Sequence, residues 1–219
     1  VASTEPYDAE VFAANPQLRL VARTGVGLDS VDLDAARAHG VAVSSTPDGP
    51  ADSVAELVIG LAVCLARHVG PADRGLRKGD WNRLTGWLLK ARTIGIVGFG
   101  RIGTRVARLL APFGCTVVAT DIDPSVAGVA QELGVELLEL DALLARADLI
   151  TLHVPLTDKT RGLVTEPFLA AMKPGALLIN TARGPVVDEA ALLAALQSEQ
   201  LGGAAIDVFN TEPYTGPLA

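Results

Sequence analysis

The chain has 219 residues, 49% of them hydrophobic, and a formal net charge of −7, which is enough material for one large domain or one and a half around a sizeable core. The negative charge and the lack of a Lys/Arg cluster argue against a nucleic-acid partner, because phosphate-backbone binding rests on many cationic contacts. The longest apolar stretch, residues 57–66, falls short of the roughly 20 residues a membrane span needs, and Glu5 and Asp8 stand where a secretory signal would be basic, so no membrane partner and a cytoplasmic location are expected.

Residues 9–14 read as a helix, 18–22 as a strand, 33–38 as a helix and 41–44 as a strand, with a glycine-rich turn after the first strand. Two such βα repeats are too few for an independent doubly wound domain, so residues 1–46 are expected to be part of one. Ser53 and Glu56 have capping-box spacing and open a linking helix over 53–68, along which Val54, Leu57, Val58, Leu61, Ala62 and Leu65 recur at helical spacing. Residues 70–92 are polar, lack a sustained period and carry Trp81 and Trp87. They read either as an excursion that makes an oligomer contact, since aromatic anchors favour interfaces, or as a surface loop with both rings folded onto the core.

From residue 93 short apolar runs alternate with helical patterns, as in successive βαβ units of a parallel sheet. The expected strands are 93–97, 116–120, 135–138, 149–154, 176–180 and 204–208, and their continuous apolar runs suit a sheet covered on both faces. A helix over 101–110 places Ile102, Val106, Leu109 and Leu110 on one stripe and closes at Pro112 and Gly114. Asp188 caps a helix carrying Leu192, Leu193 and Leu196, and Gly202 with Gly203 is expected to end it. Cys64 and Cys115 match no metal-ligand spacing and read as reduced, buried thiols, so no metal is expected.

Gly98-Phe99-Gly100-Arg101-Ile102-Gly103 lies at a strand-to-helix turn, where glycines let backbone amides approach a pyrophosphate at the helix N-terminus. Asp121 ends the next strand at the spacing of a dinucleotide fingerprint. A carboxylate there accepts hydrogen bonds from the adenosine ribose and repels a 2′-phosphate, which points to NAD rather than NADP. A ligand-free glycine turn and a capping aspartate are the alternatives.

The blocks Arg23-Thr24-Gly25-Val26-Gly27-Leu28-Asp29, Ser45-Thr46-Pro47, residues 97–103, His153-Val154-Pro155-Leu156-Thr157, Asn180-Thr181-Ala182-Arg183-Gly184, and Asp207-Val208-Phe209 with Glu212-Pro213 resemble, in order and spacing, D-2-hydroxyacid dehydrogenases of the phosphoglycerate dehydrogenase type. The resemblance implies an α/β fold: a doubly wound parallel sheet, the Rossmann NAD-binding domain over 47–219, with part of a second, flavodoxin-like substrate domain over 1–46 and an active site in the cleft between them. It implies hydride transfer between NAD(H) and a small D-2-hydroxy or 2-keto acid, and a homodimer formed through residues 70–92.

Carried over position by position, Arg183 falls on the catalytic arginine, where a guanidinium grips a carboxylate bidentately and polarises a keto oxygen. Glu212 falls on the acidic partner that favours the protonated form of an imidazole. Gly98, Gly100, Arg101, Ile102, Gly103, Asp121, Val154, Thr181, Ala182 and Asp207 match cofactor contacts, while Arg23, Val26, Gly27 and Arg183 match substrate contacts. The family's proton donor is a histidine in a Pro-His segment beyond Glu212, and the sequence ends at Ala219 before reaching it, so slow turnover with retained NADH binding is expected of this chain. His39 and His68 sit at helix ends, and His153 matches a position that borders the cofactor. Ala2 stands where phosphoglycerate dehydrogenases carry an arginine, which weakens the case for a phosphorylated substrate against glyoxylate or hydroxypyruvate. The rival reading is an NAD-binding regulatory or scaffold protein of the same fold, as the family's corepressor relatives are; Arg183 and Glu212 favour the enzyme.

Overall fold

The computed structural model describes residues 5–218. The chain divides into two compact units between Ser53 and Val54, so the expected boundary after Thr46 falls inside the first.

In the first unit, Asp8 caps α1 (Ala9–Ala14) by accepting from the Val11 amide, and Asp32 caps α2 (Leu33–Ala38) by accepting from the Ala35 amide. Between and after them, β1 (Leu20–Arg23) and β2 (Ala42–Ser45) pair in parallel. Phe12, Val21, Val31, Ala36 and Val41 form the core between these helices and strands. Val1-Ala2-Ser3, the segment compared above with the phosphate-binding arginine, lies outside the described residues.

The second unit is built on a six-stranded sheet. Its strands are β3 (Thr93–Val97), β4 (Thr116–Thr120), β5 (Glu136–Leu137), β6 (Leu149–Leu152), β7 (Ala176–Asn180) and β8 (Leu201–Ile206), in the order β5-β4-β3-β6-β7-β8. Every pairing is parallel, so the expected doubly wound Rossmann sheet is present, with its order reversing between β3 and β6. One face packs on α3 (Ala51–Ala66), α5 (Arg101–Leu110) and α6 (Ala127–Glu132) through residues such as Ile94, Ile96, Leu149 and Ile179. The other packs on α7 (Leu140–Arg146), α8 (Glu166–Ala171) and α9 (Glu189–Gln197) through Val97, Ile150, Leu152 and Leu178. Side chains along β3, β4, β6 and β7 alternate between the two clusters, as the twofold strand period requires. Asp148 pins the entry of β6 to that of β3, its Oδ2 accepting from the Thr93 amide at 2.8 Å and its Oδ1 from Lys173 Nζ at 3.2 Å.

Several expectations need correction. The capping box is not formed: α3 starts at Ala51, and the Ser53 hydroxyl, already inside the helix, donates to the Pro50 carbonyl. The face it lays on the sheet is Ala55, Val58, Ala62 and Ala66, because small side chains let the helix lie close; Leu57 is exposed. The same rotation leaves Cys64 exposed rather than buried, while Cys115 is half-buried, and burial raises its thiol pKa. On α5 the buried stripe is Gly103, Val106, Ala107 and Leu110, with Leu109 exposed.

Residues 70–92 are not wholly irregular. His68 takes a left-handed conformation that redirects the chain, and α4 (Val69–Arg77) follows with no buried residue, braced by the Asp73–Arg77 ion pair. An exposed helix of this kind leaves no apolar period to read. Gly202 and Gly203 do not end α9, which closes at Ser198, but lie within β8, where a Cβ on Gly202 would meet the Gly175 carbonyl oxygen at 2.5 Å. Strand 149–154 ends at Leu152, and 135–138 is reduced to two exposed residues at the sheet edge. No single described helix is long and apolar enough to cross a membrane.

Candidate functional site

The predicted cofactor-binding residues gather at the carboxyl end of the sheet. After β3 the chain turns at Gly98 (φ 92°) into α5, whose N-cap, Gly100, makes no side-chain cap. The turn is held by backbone against backbone. A Cβ on Gly98 would stand 2.7 Å from the His153 carbonyl oxygen, and one on Gly103 would collide with the Gly98 carbonyl, whereas a Cβ on Gly100 would meet nothing within 4 Å. The first and third glycines of the motif therefore serve packing, and the second leaves open space beside the amides that begin a helix, which lack intrahelical acceptors.

Asp121, directly after β4, fastens this turn. Its Oδ2 accepts from the Phe99 amide at 2.6 Å and its Oδ1 from the Asp123 amide at 2.9 Å. An ionised carboxylate offers about four acceptor sites, so both oxygens retain capacity for hydroxyl donors. Ile122, next in the chain, is 94% exposed. Sequence reasoning passed over it, although an isoleucine leaving the carboxyl end of a strand is the available signal for an apolar surface beside the Asp121 carboxylate. Arg101 is exposed, whereas Ile102 and Val154 pack partly into the two core clusters, so core packing accounts for their side chains.

After β7 a short loop carries Thr181, Ala182 and Arg183. Asn180, fully buried, shapes it with both ends of its amide: Oδ1 accepts from the Ala182 amide and Nδ2 donates to the Arg183 carbonyl, each at 3.0 Å. In the sequence Asn180 stands within a family block but is given no role of its own, although an amide closing an otherwise apolar strand is a legible sign of a hydrogen-bonded turn. Arg183 is half-buried, with Nη1 donating to the Ala182 carbonyl at 2.7 Å. Thr181 is 7% exposed and its Oγ1 is buried without a partner. After β8, Asp207 is exposed and its amide donates to the Asn180 carbonyl, so the Asp207 and Arg183 segments are joined through Asn180. Glu212 is exposed and accepts from the Phe209 amide through Oε1 at 3.0 Å.

In the first unit the predicted substrate-binding loop also follows a strand end. Arg23 closes β1; its Nη1 donates to the Thr24 carbonyl and its Nε is buried without a partner. The Gly25 amide donates to Thr46 Oγ1, and the Thr46 amide returns a bond to the Gly25 carbonyl. This exchange fixes the loop that bears Val26, which is 42% exposed, and Gly27.

Among the described residues, no group of three His, Cys, Asp or Glu is placed to hold a metal ion. A cavity of about 340 Å³ lies elsewhere, lined by residues of 71–84. It holds Arg74, Lys78 and Asp80 but none of the predicted site residues, and the strand-end constellation is the better candidate on chemistry.

The three histidines differ in setting. His39 ends α2, with Nδ1 beside the Ala35 carbonyl, and His68 precedes α4. His153 shares a 3.0 Å hydrogen bond between Nε2 and Thr151 Oγ1, while its Nδ1 is buried and unpartnered. Burial lowers its pKa from 6.5 to about 3, so the ring is neutral near pH 7 and a poor proton donor. Between these two pKa values the unfolded chain binds more protons at this residue than the folded one, so stability is lost as pH falls below the unfolded value and changes no further below the folded value. The urea midpoint is expected to drop from about pH 7 to about pH 5, and His153→Asn is expected to flatten that drop; an equal drop in the variant contradicts a buried neutral imidazole.

Comparison with known proteins agrees with this geometry. A family model described as D-isomer specific 2-hydroxyacid dehydrogenase, NAD binding domain, matches residues 59–219. The chain is 48% identical over 217 residues to D-3-phosphoglycerate dehydrogenase of Mycobacterium tuberculosis, covering 98% of this chain and 41% of that protein. It is 40% identical over 220 residues to hydroxypyruvate reductase of Thermotoga maritima, covering 100% of this chain and 71% of the relative. Among solved structures, D-lactate dehydrogenase from Aquifex aeolicus complexed with NAD and lactic acid superposes with a TM-score of 0.88 at 33% identity, over 96% of this chain and 64% of that one. The chain thus spans less than half the length of the phosphoglycerate dehydrogenases it matches. With its Rossmann sheet, its glycine turn and a family match across most of its length, the chain belongs to the D-isomer specific 2-hydroxyacid dehydrogenases and contains their NAD-binding domain.

Proposed function

We propose that the protein containing this chain is an NAD-dependent oxidoreductase that interconverts a small D-2-hydroxy acid and the corresponding 2-keto acid. The observation that carries this reading is the convergence, at one edge of the sheet, of a glycine turn tied to Asp121, a buried Thr181 hydroxyl without a partner and an arginine held by its own loop. The residues present fit NAD. The open side of Gly100 and the first amides of α5 suit the pyrophosphate, and Asp121 suits ribose hydroxyls while disfavouring a 2′-phosphate. NAD, when bound, supplies the hydride chemistry. Arg183 binds and orients the substrate carboxylate and polarises its keto oxygen, and Glu212, by the family resemblance, stabilises a protonated imidazole. Arg23, Val26 and Gly27 serve the substrate. Of the two phosphate-facing cations the resemblance leads one to expect, the sequence keeps Arg23 and has Ala2 in the other place, which weakens the case for a phosphorylated acid against glyoxylate or hydroxypyruvate. The relatives above are dehydrogenases and a reductase, which favours an enzyme over a regulatory protein.

NADH is expected to bind at least about tenfold tighter than NADPH, with Asp121→Ser narrowing the gap, as fluorescence titration reads directly. Arg183→Lys is expected to lower kcat/KM for glyoxylate in the intact protein by about 10² to 10³ with little change in NADH affinity. Equal affinity for the two cofactors, or full activity in Arg183→Lys, contradicts the assignment.

We further propose that residues 70–92 contact a second copy of the chain. Trp87 packs on the core with Arg92 over its ring, but Trp81 is 79% exposed, Leu88 63% and Leu76 60%. Large apolar side chains left exposed within one short segment support a contact region there. Sedimentation is expected to show a dimer that Trp81→Ala weakens; a monomer of the unaltered protein at micromolar concentration contradicts it.

A further inference from the structure

Glu189, the first residue of α9, is half-buried and uses both carboxylate oxygens on the segment that carries Glu212. Oε1 accepts from the Asn210 amide and Oε2 from the Tyr214 hydroxyl, each at 3.1 Å. These two anchors bracket Glu212, whose own Oε1 reaches the Phe209 amide. Tyr214 stacks on Phe209 with ring centroids 4.1 Å apart, and its hydroxyl also accepts from the Leu218 amide. On the other side, the Phe209 carbonyl lies directly against Gly184, where no Cβ could fit. Gly184 follows Arg183 in the chain, so the loops bearing Arg183 and Glu212 meet backbone to backbone. A carboxylate at the start of a helix also lies favourably in the helix dipole, and its two oxygens accept in the direction the 209–214 segment approaches.

We propose that Glu189 is a positioning residue: it clamps the 209–214 segment so that Glu212 is presented beside Arg183. The inference rests on the roles of Arg183 and Glu212 given above. Neither anchor touches the predicted cofactor-binding residues, so the clamp acts on the geometry of the acid–base pair and leaves NADH binding alone.

The test compares Glu189→Ala, Glu189→Gln and Tyr214→Phe in the intact protein, with Glu212→Gln as reference. In keto-acid reduction the proton donor must be protonated, and a well-placed Glu212 raises the donor's pKa, so a displaced Glu212 moves the alkaline limb of the kcat/KM profile to lower pH. Glu189→Ala is expected to lower kcat/KM by about tenfold to a hundredfold, as a small misplacement of a reacting group does. It is also expected to shift the limb in the direction Glu212→Gln does and to leave the NADH Kd unchanged. Glu189→Gln is expected to rescue both, because its amide oxygen accepts from Asn210 and its NH2 donates to the Tyr214 oxygen. In the 219-residue chain without cofactor, faster hydrogen exchange of the Phe209 and Asn210 amides is expected in Glu189→Ala. If that variant does not fold, Tyr214→Phe, which removes one hydroxyl, carries the same comparison. A limb unmoved in Glu189→Ala and Tyr214→Phe but moved in Glu212→Gln overturns the clamp alone. A limb unmoved in Glu212→Gln overturns the role of Glu212 and the clamp with it.

Discussion

Backbone lies directly on backbone at three points along the carboxyl edge of the sheet: Gly98 against the His153 carbonyl, Gly103 against the Gly98 carbonyl and Gly184 against the Phe209 carbonyl. Each contact brings two stretches of backbone closer than any side chain allows: the first and third join loops that follow different strands, and the second seats the first turn of α5 on the glycine turn it grows from. An added methyl group at any of them has no free volume to enter, because the opposing atoms are main chain and move only with their strands. The placement of the glycine turn, the Arg183 loop and the Glu212 segment follows from these approaches.

Around these contacts, polar groups complete the edge. Asp121 ties β4 to the turn after β3, and Asn180 closes the loop that ends in Arg183, in both cases by satisfying backbone groups near the sheet. A carboxylate that holds the turn while keeping acceptor sites free, and an arginine whose loop is shaped by a fully buried amide, are preorganised before any ligand arrives. Such preorganisation lowers the reorganisation needed when charge develops in a reaction. His153 contributes to the same edge as a neutral ring, its carbonyl against Gly98 and its Nε2 paired with Thr151.

Much of this was legible in the sequence because it rests on local signals. Continuous apolar runs located β3, β4 and β7 to the residue, and the glycine turn followed by Asp121 pointed to the strand-end edge where the turn and that carboxylate meet. Features set by tertiary approach were not legible. Gly202 and Gly203 read as a helix stop, yet they lie in β8 because the strand passes the Gly175 backbone. The buried face of α3 follows its alanines rather than its leucines, which placed Cys64 outside. α4 has no buried side chain and hence no apolar period. The clamp at Glu189 depends on a partner that the fold brings from elsewhere in the chain, as the sequence separation of 21 between Glu189 and Asn210 illustrates.

The central claim is that this strand-end edge is the dinucleotide site. Titration of NADH into isotopically labelled 219-residue chain, followed by amide resonances, tests it most directly. The account predicts the largest shifts at Gly98, Gly100, Ile102, Gly103, Asp121 and Thr181, with residues 71–84 unmoved. Shifts centred on the 71–84 cavity, or none at saturating NADH, would contradict it.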